Sequence, residues 1–229
     1  MAMRGTLAER ENPLPPVFRP GQTRPMTEQP NDSKRGLKIY LQDARDAVLW
    51  KLEGLSEYDV RRPVTPSGTN LLGVVKHLTG AEAVYLGEAF GRPFDGAPGL
   101  WVAGAAEPND DLWARPDESR ESLIAEYRRV WAHSDETVDS LPLDALGRVP
   151  WPPHSQLSLE RILLHVVVES QRHTGQLDLV RELLDGATGL RPGDEVLPEV
   201  PADFWPAHYA RVERAARDAA RAAGERVPD

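Results

Sequence analysis

The 229-residue chain contains no cysteine. That excludes a disulfide framework, thiolate metal ligation and a cysteine nucleophile. Any sulfur chemistry must therefore use a thiol brought in as a cosubstrate. No apolar run approaches twenty residues, so no transmembrane helix is expected. A basic excess is also missing. The formal net charge is -9, which argues against sequence-independent nucleic-acid binding, since that needs a cationic face. The first residues are rich in Pro, Arg and Glu and lack the apolar stretch of a secretory signal. The default expectation is a cytoplasmic protein without membrane or nucleic-acid partners.

The length suits one domain with tails. Residues 1–32 read as a disordered or extended tail, because Pro13, Pro15, Pro16, Pro20, Pro25 and Pro30 deny it regular structure. Met26 offers an internal start. A first helix is expected from Asp32 or Ser33, as N-cap, to Gly54. Leu37, Tyr40, Leu41, Ala44, Val48, Leu49 and Leu52 give it an apolar stripe at three-and-four spacing. A second helix is expected from Thr69 or Asn70 to about Gly91, a third over 119–140, and a fourth from Ser158 to Asp185 with Gly186 as its stop. Leu123, Tyr127, Val130, Trp131 and Val138 are core candidates of the third. A last helix, from Trp205 to about Arg226, has a thin apolar face suited to packing on a surface. No period-two alternation is long enough for a strand, and no internal repeat is present. The reading is all-α: a four-helix bundle over 33–186, a crossover loop between its second and third helices, and a C-terminal extension over 187–229 whose helix packs on the bundle. The 93–115 and 141–156 connections carry Trp101, Trp113 and Trp151. These tryptophans either line a binding mouth or cap the core.

Two segments carry chemistry. One is Asn70-Leu71-Leu72-Gly73-Val74-Val75-Lys76-His77-Leu78, a lone His in an apolar stripe. The other runs from His165 to Gln176 and places Glu169 and His173 four residues apart, on one helix face. Glu169 follows an almost continuous apolar run, so it is expected to be partly buried and to need a cation, hydrogen bonds or a metal. Each residue also has a plainer reading: Glu169 as a salt bridge to Arg172 or an exposed carboxylate, His173 as a surface residue beside a packing glycine, and His77 as a core or boundary histidine. If the two helices pack together, His77, Glu169 and His173 meet, and two imidazoles with one carboxylate around an open position form a common catalytic metal site. His165 is a fourth candidate, as a ligand or a supporting group. His133, His154 and His208 have no partner at helical spacing and read as structural or exposed. Arg172 and Arg181 are candidates for recognising an acidic substrate or for ordinary surface pairing.

The stretch Arg62-Pro63-Val64-Thr65-Pro66-Ser67-Gly68-Thr69-Asn70 through His77-Leu78, with Glu82, Tyr85 and Glu88 to Pro93, resembles the DinB-like superfamily, in its actinobacterial branch related to mycothiol-dependent metalloenzymes. Leu164-His165 through His173-Thr174-Gly175-Gln176-Leu177-Asp178, then Arg181-Glu182 and Asp185-Gly186, is similar to the last bundle helix of that family. Phe204 to Tyr209 with Val212-Glu213 is similar to its C-terminal extension. The resemblance implies a DinB-like four-helix bundle, commonly dimeric, with a divalent metal held by three side chains. Carried over, these are His77, Glu169 and His173. The Glu in the middle agrees with the mycothiol-linked branch rather than with the three-His pattern. Zinc is the first expectation for the ion, with nickel or manganese as alternatives, and a mycothiol-like thiol is the implied cosubstrate.

The leading functional expectation is thus a metal-dependent thiol S-transferase acting on a small electrophile, with thiol-assisted isomerisation as a close variant. The alternatives are a metal-dependent hydrolase on the same ligands and a non-catalytic metal- or ligand-binding stress protein.

Overall fold

The structure, a computed structural model, describes residues 30–96, 107–149, 156–193 and 197–227. The readings of the tail before residue 30, of Trp101, of Trp151 and of His154 lie outside these residues. The described chain is mostly helical: α1 (Pro30–Trp50), α2 (Glu57–Arg61), α3 (Leu71–Glu82), α4 (Arg120–Ser140), α5 (Leu159–Asp185) and α6 (Phe204–Ala222). Four of them, α1, α3, α4 and α5, form the all-α DinB-like bundle.

Local chemistry sets the helix ends. Asn70, Ser119 and Ser158 are N-caps whose side chains accept from backbone N–H groups one turn on. Gly186 ends α5 at φ 79°, a left-handed conformation that suits glycine. α1 starts at Pro30, upstream of the expected caps Asp32 and Ser33. Proline suits a first helical position, where its missing N–H would be unpaired anyway. The second bundle helix does not run unbroken to Gly91. After Glu82 it widens into a π-helical turn over Ala83–Gly87 and then tightens into a 3₁₀ turn over Glu88–Phe90. The short helix α2 and a two-stranded antiparallel hairpin, β1 (Leu146–Arg148) with β2 (Gln156–Ser158), were not legible in the pattern. Three residues per strand are too few to show an alternation.

Helix direction follows from the contacts. Lys76 pairs with Glu118 at the start of α4, whereas Gly87 lies against His133 further along it, so α3 and α4 run parallel. Parallel neighbours require the chain to return the length of the bundle between them, which is consistent with the long connection between α3 and α4. Gln171 donates to the Tyr40 carbonyl and Lys51 pairs with Asp178, so α1 and α5 are also parallel. α3 lies antiparallel to α5, with Tyr85 packed against His165 and His77 beside Glu169.

The core has two apolar clusters. One holds Val48, Leu52, Leu71, Leu72, Val75, Leu78, Leu123, Tyr127, Leu177 and Val180. The other holds Leu41, Leu86, Val138, Leu159, Ile162, Leu163 and Val166. Between them in the chain lies a polar pair: Arg45, 1% exposed, grips Glu82, 0% exposed, through Nε–Oε1 at 3.0 Å and Nη2–Oε2 at 2.5 Å. The third nitrogen of Arg45, Nη1, reaches Asp135 at 2.9 Å. Burial alone would lower the Arg45 pKa, but the carboxylates of Glu82 and Asp135 more than offset it and raise it.

Most of the expected core residues are buried. Tyr40 is an exception at 50% exposure: Leu41, Ala44 and Val48 take the inward stripe and leave Tyr40 on its edge. α6 buries none of its residues, and Phe204, Tyr209 and Val212 are exposed. Trp205 lines a cavity with Trp50, Pro192 and Pro198 at the bundle end. No helix among the described residues is long and apolar enough to cross a membrane.

Candidate functional site

The antiparallel packing of α3 on α5 brings His77, Glu169 and His173 together. Their candidate ligand atoms all lie within 4.8 Å of one another. His173 Nε2 is 3.1 Å from Glu169 Oε1, and His77 Nε2 is 3.6 Å from the same oxygen. Metal–ligand bonds of about 2.0–2.2 Å in a tetrahedral site place donors roughly 3.4 Å apart, so both separations suit ligands of one ion. Two imidazole nitrogens and a carboxylate oxygen are the donor set of a borderline divalent metal. The side chains of His77, Glu169 and His173 are 18%, 30% and 11% exposed, so the cluster is accessible from one side.

Electrostatics favour an ionised carboxylate at the centre. The neighbouring imidazoles, His173 first and then His77, hold the Glu169 pKa well below the usual carboxylate range, against the opposing effect of burial. For His77, burial is the largest single influence and lowers the pKa; the carboxylates of Glu169 and Asp111 outweigh it and raise it. The readings of Glu169 as an Arg172 partner or as an isolated exposed carboxylate do not describe this arrangement, because its partners are the two histidines.

Each imidazole is held from behind. His77 Nδ1 lies 2.7 Å from Oδ2 of Asp111, and His173 Nδ1 lies 2.9 Å from Oε1 of Gln176. A carboxylate and an amide oxygen only accept, so each Nδ1 carries a proton and each Nε2 is the atom directed at Glu169. Asp111 was not singled out in the sequence. It sits in a 3₁₀ turn, Asp110–Leu112, at the end of the crossover connection and is only 6% exposed.

The start of α3 explains how this turn reaches His77. Asn70 accepts from Gly73 N–H at 2.7 Å and donates to the Leu112 carbonyl at 3.0 Å. The Leu112 carbonyl occupies the space a Cβ at Gly73 would need. Lys76 donates to the Trp113 carbonyl and pairs with Glu118. Asn70, Gly73 and His77 thus form one face of α3, and the 109–113 segment lies along it. The available signal was Gly73 itself: a glycine inside a helix costs about 1 kcal/mol relative to Ala, and here it stands one turn before a candidate ligand.

The other candidates separate from the site. His165 is exposed and its ring lies tilted against Tyr85, with centroids 4.7 Å apart. Arg172 is exposed, whereas Arg181 bonds Asp185 and the carbonyls of Lys51 and Glu53, closing the end of α1. His133 bonds the Arg92 carbonyl, and His208 sits on the exposed helix α6 beside Arg211. Trp113 is 45% exposed, with Arg115 over its ring.

No curated protein sequence matches the chain. A family model does: that of the mycothiol-S-transferases matches residues 36–186, from the second turn of α1 to the glycine that ends α5. The match takes in all four bundle helices except the first turns of α1, includes both segments that carry the His/Glu/His cluster, and covers well over half of the sequence. The chain belongs to the mycothiol-S-transferase family.

Proposed function

We propose that the protein is a divalent-metal-dependent thiol S-transferase, joining a mycothiol-like thiol to a small electrophile, with His77, Glu169 and His173 as the metal ligands. The observation that carries this reading is the convergence of both Nε2 atoms on Glu169 Oε1, in a chain that has no cysteine of its own. When bound there, a divalent ion, zinc in the first instance, supplies the Lewis acidity that makes a thiol ionise near neutral pH. The side chains do the rest by position and charge. Glu169 would bring a negative charge that three neutral imidazoles would not, so the site would be less positive with the ion held and would withdraw less charge from a thiol. Asp111 and Gln176 keep the imidazoles oriented, and the partial exposure of the cluster admits thiol and electrophile from solvent.

The same reading takes residues 1–32 as a tail, 33–186 as the catalytic bundle and 187–229 as an extension. The family match, which stops at residue 186, supports the second boundary. It also takes the protein as a cytoplasmic homodimer. The exposed apolar residues Tyr40, Leu164 and Val168 on the α1/α5 face support self-association, which sedimentation equilibrium tests.

The activity test is consumption of mycothiol with a panel of epoxide, quinone and haloaromatic electrophiles, before and after chelation. Thiol-dependent turnover that is lost on chelation and restored by zinc, nickel or manganese is expected. Turnover without any thiol would instead favour the hydrolase reading, and a metal-loaded protein inert to the whole panel would favour the binding protein.

A further inference from the structure

We infer that Asp111 is the positioning residue of this centre: it fixes the tautomer of His77 so that Nε2, and not Nδ1, is the nitrogen offered to a metal. The inference rests on the metal reading of the His77, Glu169 and His173 cluster for its purpose, but not for its geometry.

Three observations support it. The Asp111 carboxylate is 2.7 Å from His77 Nδ1 and is only 6% exposed. Among the described residues, His77 is the basic group within ion-pair distance of it. A buried carboxylate costs free energy unless hydrogen-bonded, so its placement against one imidazole nitrogen has to be maintained by the fold. The fold maintains it at a measurable local expense. A glycine is kept inside α3 at position 73, where a Cβ would overlap the Leu112 carbonyl, and the Asn70 amide holds that same carbonyl at 3.0 Å. Asn109, just before the turn, adopts a left-handed φ of 64°, which is uncommon outside glycine. His173 is held differently: its Nδ1 partner, Gln176, is an exposed neutral amide on the same helix. The buried charge is reserved for the ligand on the other helix. A carboxylate behind a ligating imidazole orients the ring and raises its basicity, and losing such a partner weakens metal binding by about 10–100-fold.

The test compares wild type, Asp111→Ala and Asp111→Asn by two readouts. The first is the His77 tautomer in metal-free protein, from ¹⁵N NMR at a pH where the ring is neutral. The second is zinc affinity, by competition with a chromophoric chelator. The expected result is a proton on Nδ1 in wild type, a mixed or reversed tautomer in Asp111→Ala, and zinc binding weaker by about 10–100-fold. Asp111→Asn keeps the shape and an acceptor oxygen but not the charge, and should fall between the two. A merely structural role would lower urea stability without moving the tautomer. A proton on Nε2 in wild type, an unchanged tautomer in Asp111→Ala, or zinc affinity within about threefold of wild type would overturn the inference. If wild type itself takes up no zinc, nickel or manganese, the metal reading fails, and the tautomer readout alone then decides the role of Asp111.

Discussion

Replacing glycine by alanine inside a helix ordinarily stabilises a protein, by up to about 1 kcal/mol. Two glycines of this chain should respond with opposite signs. At Gly175, on the exposed face of α5, an added Cβ meets nothing within 4 Å. Gly175→Ala should therefore raise stability by about 0.5–1 kcal/mol. At Gly73 the same methyl group overlaps the Leu112 carbonyl and lies 2.9 Å from Asn70 Nδ2. Neither obstacle is the free end of a flexible side chain: one is backbone, and the other is the amide that caps α3. The 109–113 segment must move away. That movement strains or breaks the Asn70–Leu112 bond at 3.0 Å and the Asp111–His77 contact at 2.7 Å. Overpacking costs typically about 1–3 kcal/mol, and a lost hydrogen bond to a charged group about 1.5–3 kcal/mol. Set against the gain in helix propensity, Gly73→Ala should lose about 1–3 kcal/mol net. The two variants should then differ by roughly 1.5–4 kcal/mol for identical chemistry, the sum of these two ranges. Urea unfolding of metal-free protein measures this without contribution from bound ion. Gly73→Ala with a stability equal to or above that of Gly175→Ala would refute the claim that the crossover segment is seated on α3.

Two other perturbations test the account away from the site. Glu82→Gln leaves the Arg45 guanidinium buried with a weakened partner and should cost about 3–5 kcal/mol in urea unfolding, while Arg45→Met with Glu82→Leu, which leaves only the partly exposed Asp135 without its partner, should recover most of it; an equally unstable double variant would contradict the claim that the cost comes from the unpaired buried charge. The Arg181 guanidinium holds the Asp185 pKa below the usual carboxylate value despite the opposing effect of burial. A depressed folded-state pKa contributes stability above the unfolded pKa of about 3.9 and loses it as pH falls through the folded value. Asp185→Asn should therefore be less stable than wild type at pH 7, with the difference shrinking below about pH 4. A difference independent of pH would sink that assignment.

The bundle was largely legible because its four helices are long enough for the apolar spacing to repeat several times. Their caps, Asn70, Ser119, Ser158 and Gly186, are also of the types that end helices. The length of the connection between α3 and α4 pointed to a crossover rather than a tight antiparallel hairpin, which agrees with their parallel packing. What escaped depends on contacts between distant segments. Arg45 and Glu82 are charged residues on helices, a type usually exposed, and nothing local marks them as each other's partner. The π-helical turn after Glu82 leaves the apolar character of the segment unchanged, so the pattern passed through it. In the candidate site, the spacing of Glu169 and His173 was readable because both lie on one helix. Asp111 was not, because a loop carboxylate shows no periodicity and its link to His77 crosses 34 positions. Tyr40 fits the apolar stripe of α1 by spacing, yet it lies at the stripe's edge and is half-exposed.

Metal stoichiometry by elemental analysis, on wild type and Glu169→Ala purified without chelator, decides whether His77, Glu169 and His173 hold an ion. The carboxylate that both Nε2 atoms approach is removed in the variant. About one divalent ion per chain in wild type, lost or much weakened in Glu169→Ala, is the predicted result, since a three-ligand site retains its metal poorly with two. A wild type that stays metal-free after incubation with zinc, nickel or manganese would contradict the account, as would a Glu169→Ala variant that retains a full equivalent.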